Sequence, residues 1–573
     1  MSFDGVTLAA VCHELAEELP GAKIEKIVQP RPLEIILHLR GRHKSFQLLC
    51  SADSHLPRVH LTESKPENPP APPSFCMLLR KHLVGARFLS AEQTALERIL
   101  SLHFSGYDDF GDEIKKTLHC EVMGKHSNII LTMPRDEGAY IILGSIKIVT
   151  EEMSRHRAVR PGEFYILPPV QNKLNLFTLT EERLAEKLTE LLAQPVEKIL
   201  ISAVMGLGPE LAREITYRAS RGENAHPLEI SRSLTVELRK LAEIITQGNF
   251  SPCLAQSPGN RPFFSPVSIT SLPLEFLTPY PSVNQGLDLF SIRQLRIRQE
   301  TALKQQLMQT VNSAVSRAEK KQQLQEKELL EMSEADRYRI WGEMLTASIN
   351  LLPPGAKEVS VPNYYNTEQE QIRIPLNPAL SPQGNIHRYF KKYRKLKDGE
   401  KILSLRLSET VKELMYLESL LAALTHAALE DLDEIREEMA QSGLIRELKT
   451  SKKVVHSVST PLQLISADGI TIYVGKNNRQ NDRLTLRDAS PHDTWLHTKD
   501  IPGAHVIIKS ANPPETTLLE AARLAVRYSK AASSANVPVD YTLARHVRKP
   551  KGAKPGMVIY DHHRTVYVTD YPT

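Results

Sequence analysis

The stretch Leu407–Met439, LSETVKELMYLESLLAALTHAALEDLDEIREEM, decides how the chain is built. Leu407, Val411, Leu414, Leu421, Ala428, Leu432, Ile435 and Met439 fall on one alternating four-three spacing, broken only by Glu418 and Thr425. Such spacing keeps apolar side chains on a single stripe facing a partner helix, the a/d seam of a coiled coil. Leu307, Val311, Ala314 and Ala318 begin a similar seam, on which Lys321 and Gln325 then land. The other positions there are Gln, Lys, Glu and Arg, all good helix formers. No proline falls between Leu287 and Leu352 or between Asn385 and Gly443. Helices of about 60 residues are expected, roughly 90 Å long at about 1.5 Å per residue. The simplest arrangement packs the two antiparallel as a projecting arm; a bare spacer or a dimerisation device fits the seam equally well.

The interruption, Pro353–Gly384, is proline-rich, with strand-like Ile372–Ile374 and the pair Tyr364-Tyr365, and reads as a small cap. Tyr389, Phe390, Lys391, Lys392, Tyr393, Arg394 and Lys395 follow. This alternation of rings and cations could stack on bases; packing of the cap is the favoured reading.

With 573 residues, 41% hydrophobic and 24% charged, the chain reads as an ordinary multidomain soluble protein. No apolar run reaches membrane-spanning length. Met1–Ala10 lacks a basic n-region, so no signal peptide and a cytoplasmic location are expected. Cys12, Cys50, Cys76, Cys120 and Cys253 are scattered without a CxxC pair, which argues for a reducing compartment and against disulfides or zinc. The net charge of +5 is concentrated: Val455–Thr573 holds 15 Lys/Arg against 10 Asp/Glu and seven of the 20 histidines. That is the footprint of a nucleic-acid face, although a solvated surface carries similar charge.

In the first half, Asp4–Leu19 reads as an amphipathic helix, followed by strands at Lys23–Val28, Glu34–Leu39, Ser45–Cys50 and Val59–Leu61. Prolines at Pro72-Pro73 introduce a helix at Phe75–Leu83. Glu97–Phe104 is a strand, and Thr117–Met123 with Ile129–Thr132 form a hairpin through Gly124-Lys125-His126-Ser127-Asn128. Lys125 and His126 could meet a phosphate, but a solvated turn is favoured on spacing alone. Leu184–Ser220 is helical around Gly206-Leu207-Gly208-Pro209, as in a helix-hairpin-helix whose glycines admit a phosphate to backbone N–H groups. An ordinary helix-helix turn fits equally. Ser251–Pro281, rich in Pro and Ser, reads as a linker.

The last part holds GKNNRQND at Gly475–Asp482, DTWLHTKDIPGAHV at Asp493–Val506, a helix at Thr517–Ser529, a strand at Val539–Leu543, and a basic loop Arg545–Gly556 with five cations and no acid. Asn, Gln, His and Lys at this density can read phosphates, 2′-hydroxyls and unpaired base edges. Lys476, Asn477, Asn478, Asn481, His497, Lys499, His505, Arg548, Lys549 and Lys551 are therefore the candidate RNA contacts.

These C-terminal runs, with VDYT and KPKGAKPGMV, resemble the RNA-binding domain of the NFACT family. FDG at Phe3–Gly5, MGKHSNIIL at Met123–Leu131, RPGEFYILPP at Arg160–Pro169, GLGPELARE at Gly206–Glu214 and RYFKKYRKLK at Arg388–Lys397 follow in family order, so the resemblance covers essentially the whole chain. It implies an α+β multidomain protein. The expected order is a glycosylase-like N-terminal α/β domain (1–170), a helix-hairpin-helix domain and linker (171–280), a long antiparallel coiled-coil arm (281–352 and 387–449) with a small cap (353–386), and a C-terminal α+β RNA-binding domain (450–573). It also implies ribosome-associated quality control. The partners would be a large (50S) ribosomal subunit blocked by peptidyl-tRNA, alanyl-tRNA for template-free alanine tailing, and a small RNA-binding cofactor of the RqcP type. Peptide-bond formation would belong to the ribosome, the protein positioning tRNA rather than catalysing. Bacterial members need an Asp-Arg pair for tRNA, and here the pair is Glu97-Arg98. Asp4, Glu97, Arg98, Lys125, His126 and Asn128 are the expected tRNA contacts, with Arg98 on phosphate or base and Glu97 orienting it or accepting from a base amine.

No cofactor, metal, membrane or DNA partner is expected. Glycosylases of the related fold use a proline nucleophile after the initiator Met, where this chain has Ser2. Asp561-His562-His563 and His492/His497 lack a carboxylate cluster at ligand spacing. There is no Walker loop or GxGxxG signature. A fibronectin-binding adhesin is the alternative that family history offers.

Overall fold

The computed structural model describes residues 3–107, 111–135, 139–154, 156–169, 171–223, 226–365, 370–446 and 459–570. Ser2 and the boundaries read at 170 and 449/450 lie outside or at the edge of these. The chain divides into two compact units, Met1–Arg296 and Ile297–Thr573.

The first unit is built on a nine-stranded sheet in the order β4-β3-β2-β1-β5-β6-β7-β8-β9. Its strands are β1 (Lys23–Arg31), β2 (Glu34–Arg40), β3 (Ser45–Ser51), β4 (Arg58–Leu61), β5 (Arg87–Gln93), β6 (Ile99–Tyr107), β7 (Glu113–Glu121), β8 (Asn128–Pro134) and β9 (Tyr140–Ser145). Every pairing is antiparallel, so this domain is α+β in arrangement rather than the α/β expected. Strands β5 and β9, not read from the sequence, complete it. Helix α1 (Gly5–Glu18) packs Leu8, Val11 and Leu15 on the sheet, and α2 (Ser74–Leu83) adds Phe75, Cys76 and Leu79. Glu121, buried at the end of β7, accepts from Arg157 (2.7 Å) and from the Tyr165 hydroxyl (3.0 Å), while Tyr165 stacks on His119 at 4.1 Å. This seats the Arg160–Pro169 segment.

A second core holds α3 (Glu181–Glu190), α4 (Val196–Ala203), α5 (Pro209–Ser220) and α6 (Ser231–Gln247). Gly208 caps α5, with Pro209 in the first turn, where its missing N–H leaves nothing unsatisfied. The expected linker is in fact a three-stranded sheet, β10 (Cys253–Ala255), β11 (Phe263–Ser265) and β12 (Leu277–Pro279). Helix α7 (Val283–Ser333) then crosses the division between the units.

In the second unit α7 and α8 (Ala335–Ala347) run antiparallel to α9 (Pro382–His426). Lys304 meets the carbonyls of Thr425 and Ala427, Lys321 meets Glu413, Gly399 lies against Met332, and Gly342 against the Phe390 ring. On α7 most of the expected seam is buried, Leu307, Val311, Ala314, Ala318 and Gln325, whereas Lys321 is exposed. On α9 one column is displaced by a residue. Leu403, Thr410, Leu417 and Leu424 are buried, whereas Val411 is half-buried and Thr425 exposed. Glu418 and Thr425, which interrupt the sequence pattern, are simply off the seam.

The second helix is also shorter than expected, 45 residues, ending at His426 without proline or glycine. Three contacts fix the break. Lys304 Nζ donates to the carbonyls of Thr425 and Ala427 (3.0 Å each), and the Ala428 N–H donates to the Asp431 carboxylate (3.1 Å). Helix α10 (Leu432–Gln441) resumes beyond it and returns Leu432, Ile435 and Met439 to the same core. The buried column therefore resumes beyond the gap with a step of five, from Ala427 to Leu432, and Ala428, expected on the seam, is exposed.

Between the helices, β13 (Glu358–Pro362) and β14 (Gln371–Pro375) form a hairpin with its own core of Leu345, Val361, Ile374 and Ile386. Tyr389 is buried there, stacked on Tyr338 and edge-on to Trp341, and the Lys392 ammonium lies 4.0 Å from the Tyr338 ring centre. Packing, rather than base stacking, uses these aromatics.

The C-terminal domain is a six-stranded antiparallel sheet, β15-β16-β18-β17-β19-β22, with a two-stranded ribbon β20-β21. The strands are β15 (Leu462–Ile465), β16 (Thr471–Val474), β17 (Thr494–Thr498), β18 (Val506–Ile508), β19 (Val537–Leu543), β20 (Val547–Arg548), β21 (Ile559–Tyr560) and β22 (Arg564–Val568). A short α11 (Asn478–Arg483) follows β16, and α12 (Glu515–Arg527) covers one face through Ala521, Ala522 and Ala525. Trp495 and Ile507 point to the other face, as alternation along a strand requires.

Candidate nucleic-acid interface

In the first unit three chain segments converge. Asp4 starts α1, accepting from the Thr7 N–H (2.8 Å), and its second oxygen accepts from the Gly208 N–H (2.9 Å) at the start of α5. The helix end that the sequence offered to a phosphate is therefore already held by a carboxylate of the same chain. Asp4 is buried, and loss of solvent pushes its carboxyl up to about 6. Gly5 is needed for close approach: a methyl there would lie 2.1 Å from the Leu96 carbonyl oxygen and 2.7 Å from the Gly206 Cα. Gly206 turns with φ +87°. The third segment, ahead of β6, holds Ala95 and Leu96 at φ +48° and +61°, a left-handed conformation costing about 1–2 kcal/mol per non-glycine residue. Gln93 secures it by donating to the carbonyls of Gly5 (2.9 Å) and Glu97 (2.8 Å). Strain held in place by surrounding contacts is characteristic of functional sites.

A cavity of about 180 Å³ opens at this junction, lined by Asp4, Glu97, Arg98, Lys173 and the Gly206–Gly208 turn. Glu97, Arg98 and Lys173 are half-buried, and among the described residues no hydrogen bond or ion pair holds their side chains. Burial lowers the Lys173 pKa, Arg98 lowers it further and Glu97 opposes both. Two cations and a carboxylate, partly desolvated and uncommitted, suit phosphate oxygens and a base amine. Lys173 was not among the expected contacts; nothing in the sequence around it marks it, and only folding brings it beside Arg98.

The sheet register adds the turn. The Arg98 backbone carbonyl accepts from the Val122 N–H (2.8 Å), so exposed Lys125 and His126 stand at the same sheet end as Glu97 and Arg98. Asn128 is corrected. It is buried, donating to the Lys147 carbonyl (2.9 Å) and accepting from the N–H groups of Ile129 (2.9 Å) and Lys147 (3.0 Å). It fastens β8 to the loop after β9 and is not open to RNA. Asp4 is likewise an internal bridge.

In the second unit the structure redistributes the expected contacts. Lys476 pairs with Asp431 (2.9 Å), Asn477 donates to Glu434 (2.8 Å), Asn478 to Glu438 (3.0 Å) and Ser419 (2.9 Å), and Arg479 to Glu437 (2.8 Å). Four consecutive residues thus bind acids of the α10 region and fasten the C-terminal domain to the helices. Burial raises Glu438 to about 7. Asn481 turns inward, accepting from the His505 N–H (3.1 Å). His505 is buried against Thr485 (2.7 Å), and half-buried His497 packs with Trp495 and His505 in a three-ring cluster. Desolvation lowers His497 to about 4 and His505 to about 3, leaving both neutral. Lys476, Asn477, Asn478, Asn481 and His505 are therefore structural, and Lys549 is engaged by Asp482. Lys499, Arg548 and Lys551 remain accessible, Arg548 in an exposed pair with Asp561 at 3.3 Å.

The model for NFACT N-terminal and middle domains matches residues 4–457, and that for the NFACT protein RNA binding domain matches residues 460–561. The chain belongs to the NFACT family. It is 38% identical to the Rqc2 homolog RqcH of Bacillus subtilis, over 99% of this chain and 98% of that protein. It is 36% identical to the Rqc2 homolog RqcH of Streptococcus pneumoniae over the same shares. The ribosome quality control complex subunit NEMF of Mus musculus is 28% identical over 41% of this chain and 21% of its own length. Among solved structures, the N-terminal part of the fibronectin/fibrinogen-binding protein of Streptococcus suis is 33% identical (51% of this chain, all of that one, TM-score 0.42). The C-terminal part is 34% identical (48% of this chain, 96% of that one, TM-score 0.38). In this NFACT chain no described helix is long and apolar enough to cross a membrane.

Proposed function

We propose that this chain is a ribosome-associated quality control factor that binds a large subunit still carrying peptidyl-tRNA and recruits alanyl-tRNA for template-independent alanine tailing. The observation that carries this reading is end-to-end similarity to the RqcH relatives, 99% of this chain on 98% of the Bacillus protein. The ribosome would form the peptide bonds; this chain would place tRNA. The cavity beside Glu97, Arg98 and Lys173 supports that role, because its charged groups are positioned but uncommitted. Lys125 and His126 extend the contact along the same sheet end. Fibronectin binding is the less favoured reading, since the relatives that span this chain end to end carry the quality-control name. A small RNA-binding cofactor of the RqcP type is a further expected partner.

The test is a Glu97→Ala/Arg98→Ala double variant. It should sediment with large subunits as the parent does but lose co-purifying tRNA. Undiminished tRNA recovery would reject the assignment of these two residues.

A further inference from the structure

On the C-terminal domain, β19 and β22 border an open concavity of about 360 Å³ whose lining includes Arg564, His546, His562, Asn512 and Tyr541 and no Asp or Glu. The two imidazoles meet edge-on, ring centres 4.8 Å apart, with the Arg545 side chain donating to His546 Nε2 (3.3 Å). That meeting depends on a left-handed residue: His562 has φ +54°. The turn is held by the Thr542 hydroxyl, which donates to the carbonyl of Asp561 (3.0 Å) and reaches that of His562 (3.4 Å), and by the Asp561 N–H donating to the His546 carbonyl (3.2 Å). The one nearby carboxylate on this turn, Asp561, pairs with Arg548. Arg564 is exposed, and among the described residues no hydrogen bond or ion pair holds its guanidinium.

The volume lies near the lower end of small-ligand sites, about 300–1,000 Å³, and suits one nucleotide rather than a helix. A guanidinium and two imidazoles suit a phosphate. Tyr541, with Leu543 and Pro513 beside it, offers an apolar and aromatic wall to a base, and Asn512 can read its edge. We propose that this concavity receives one unpaired ribonucleotide of an RNA, its phosphate on Arg564, His546 and His562 and its base against Tyr541. The proposal rests on the quality-control reading for the presence of RNA, and names where on this domain the RNA is held.

The test is fluorescence anisotropy on the full chain with a short labelled single-stranded RNA, a duplex of equal length and adenosine monophosphate. The double variant Arg564→Ala/His562→Asn removes both groups while Asn tolerates the left-handed turn. Single-strand affinity should fall about tenfold and the salt slope by about one, with duplex binding and melting temperature little changed. Arg564→Gln alone, at an exposed position, gives the same readout if the double variant melts early. Unchanged single-strand affinity, equal loss on the duplex, or binding of the mononucleotide that RNA does not compete would each overturn the site. If the parent chain bound no RNA at all, the quality-control reading would fall with it.

Discussion

Asp4 bridges two helix starts 204 positions apart in sequence, so its replacement removes two caps together. Asp4→Ala should lower stability by about 2 kcal/mol, read as a loss in denaturant midpoint at constant slope. Titration of buried groups runs both ways: Asp4 and Glu438, raised to about 6 and about 7, add stability as pH falls, whereas the buried histidines remove it. His119 and His505 are both lowered to about 3 in the fold, against an ordinary value of 6.5, because burial disfavours the imidazolium. Between these values the unfolded chain binds protons that the folded chain does not, so their contribution is present above about 6.5 and is lost as pH falls. At pH 5 each should remove about 2 kcal/mol. His505→Gln should flatten the decline in melting temperature between pH 7 and 5; a decline as steep as the parent's would contradict the assignment.

At the scale of elements, the seam gives the sharpest contrast. Leu417 is buried and Val411 only half-buried. Leu417→Ala should cost about 2–5 kcal/mol and Val411→Ala about 1 kcal/mol or less, by thermal melts; the reverse order would restore the register read from sequence. The dock gives another. Asn478→Ala strips Glu438 of a buried donor and should cost about 1–3 kcal/mol while leaving RNA affinity of the folded protein unchanged. These elements also show what could be read beforehand. The strands β1–β4, the hairpin of β7 and β8, and the arm were visible because side-chain periodicity reports burial directly. The break at His426 was not, since it has no proline or glycine and depends on Lys304, more than 100 positions away. GKNNRQND was misread for a related reason. Polar density identifies groups that need partners, but not whether those partners are phosphates or the acids of α10.

For the whole molecule, the similarity covers both family domains, while the groups open to a ligand sort into a few places within each unit. Glu97 and Arg98 could be named from sequence through the family resemblance, but Lys173, Arg564 and His562 acquire meaning only from their neighbours in the fold. Binding to RNA should weaken steeply with salt as cations on phosphates release counterions, each contact contributing a slope of about 0.9 on duplex and about 0.7 on single strands. A flat response would leave the basic excess of the C-terminal part as mere solvation. Sequencing the RNA that co-purifies with the native protein is the most direct measurement of whether it works by holding tRNA on a large subunit. Large-subunit rRNA with one dominant tRNA is the predicted result; neither rRNA nor tRNA enriched over a mock purification would contradict it.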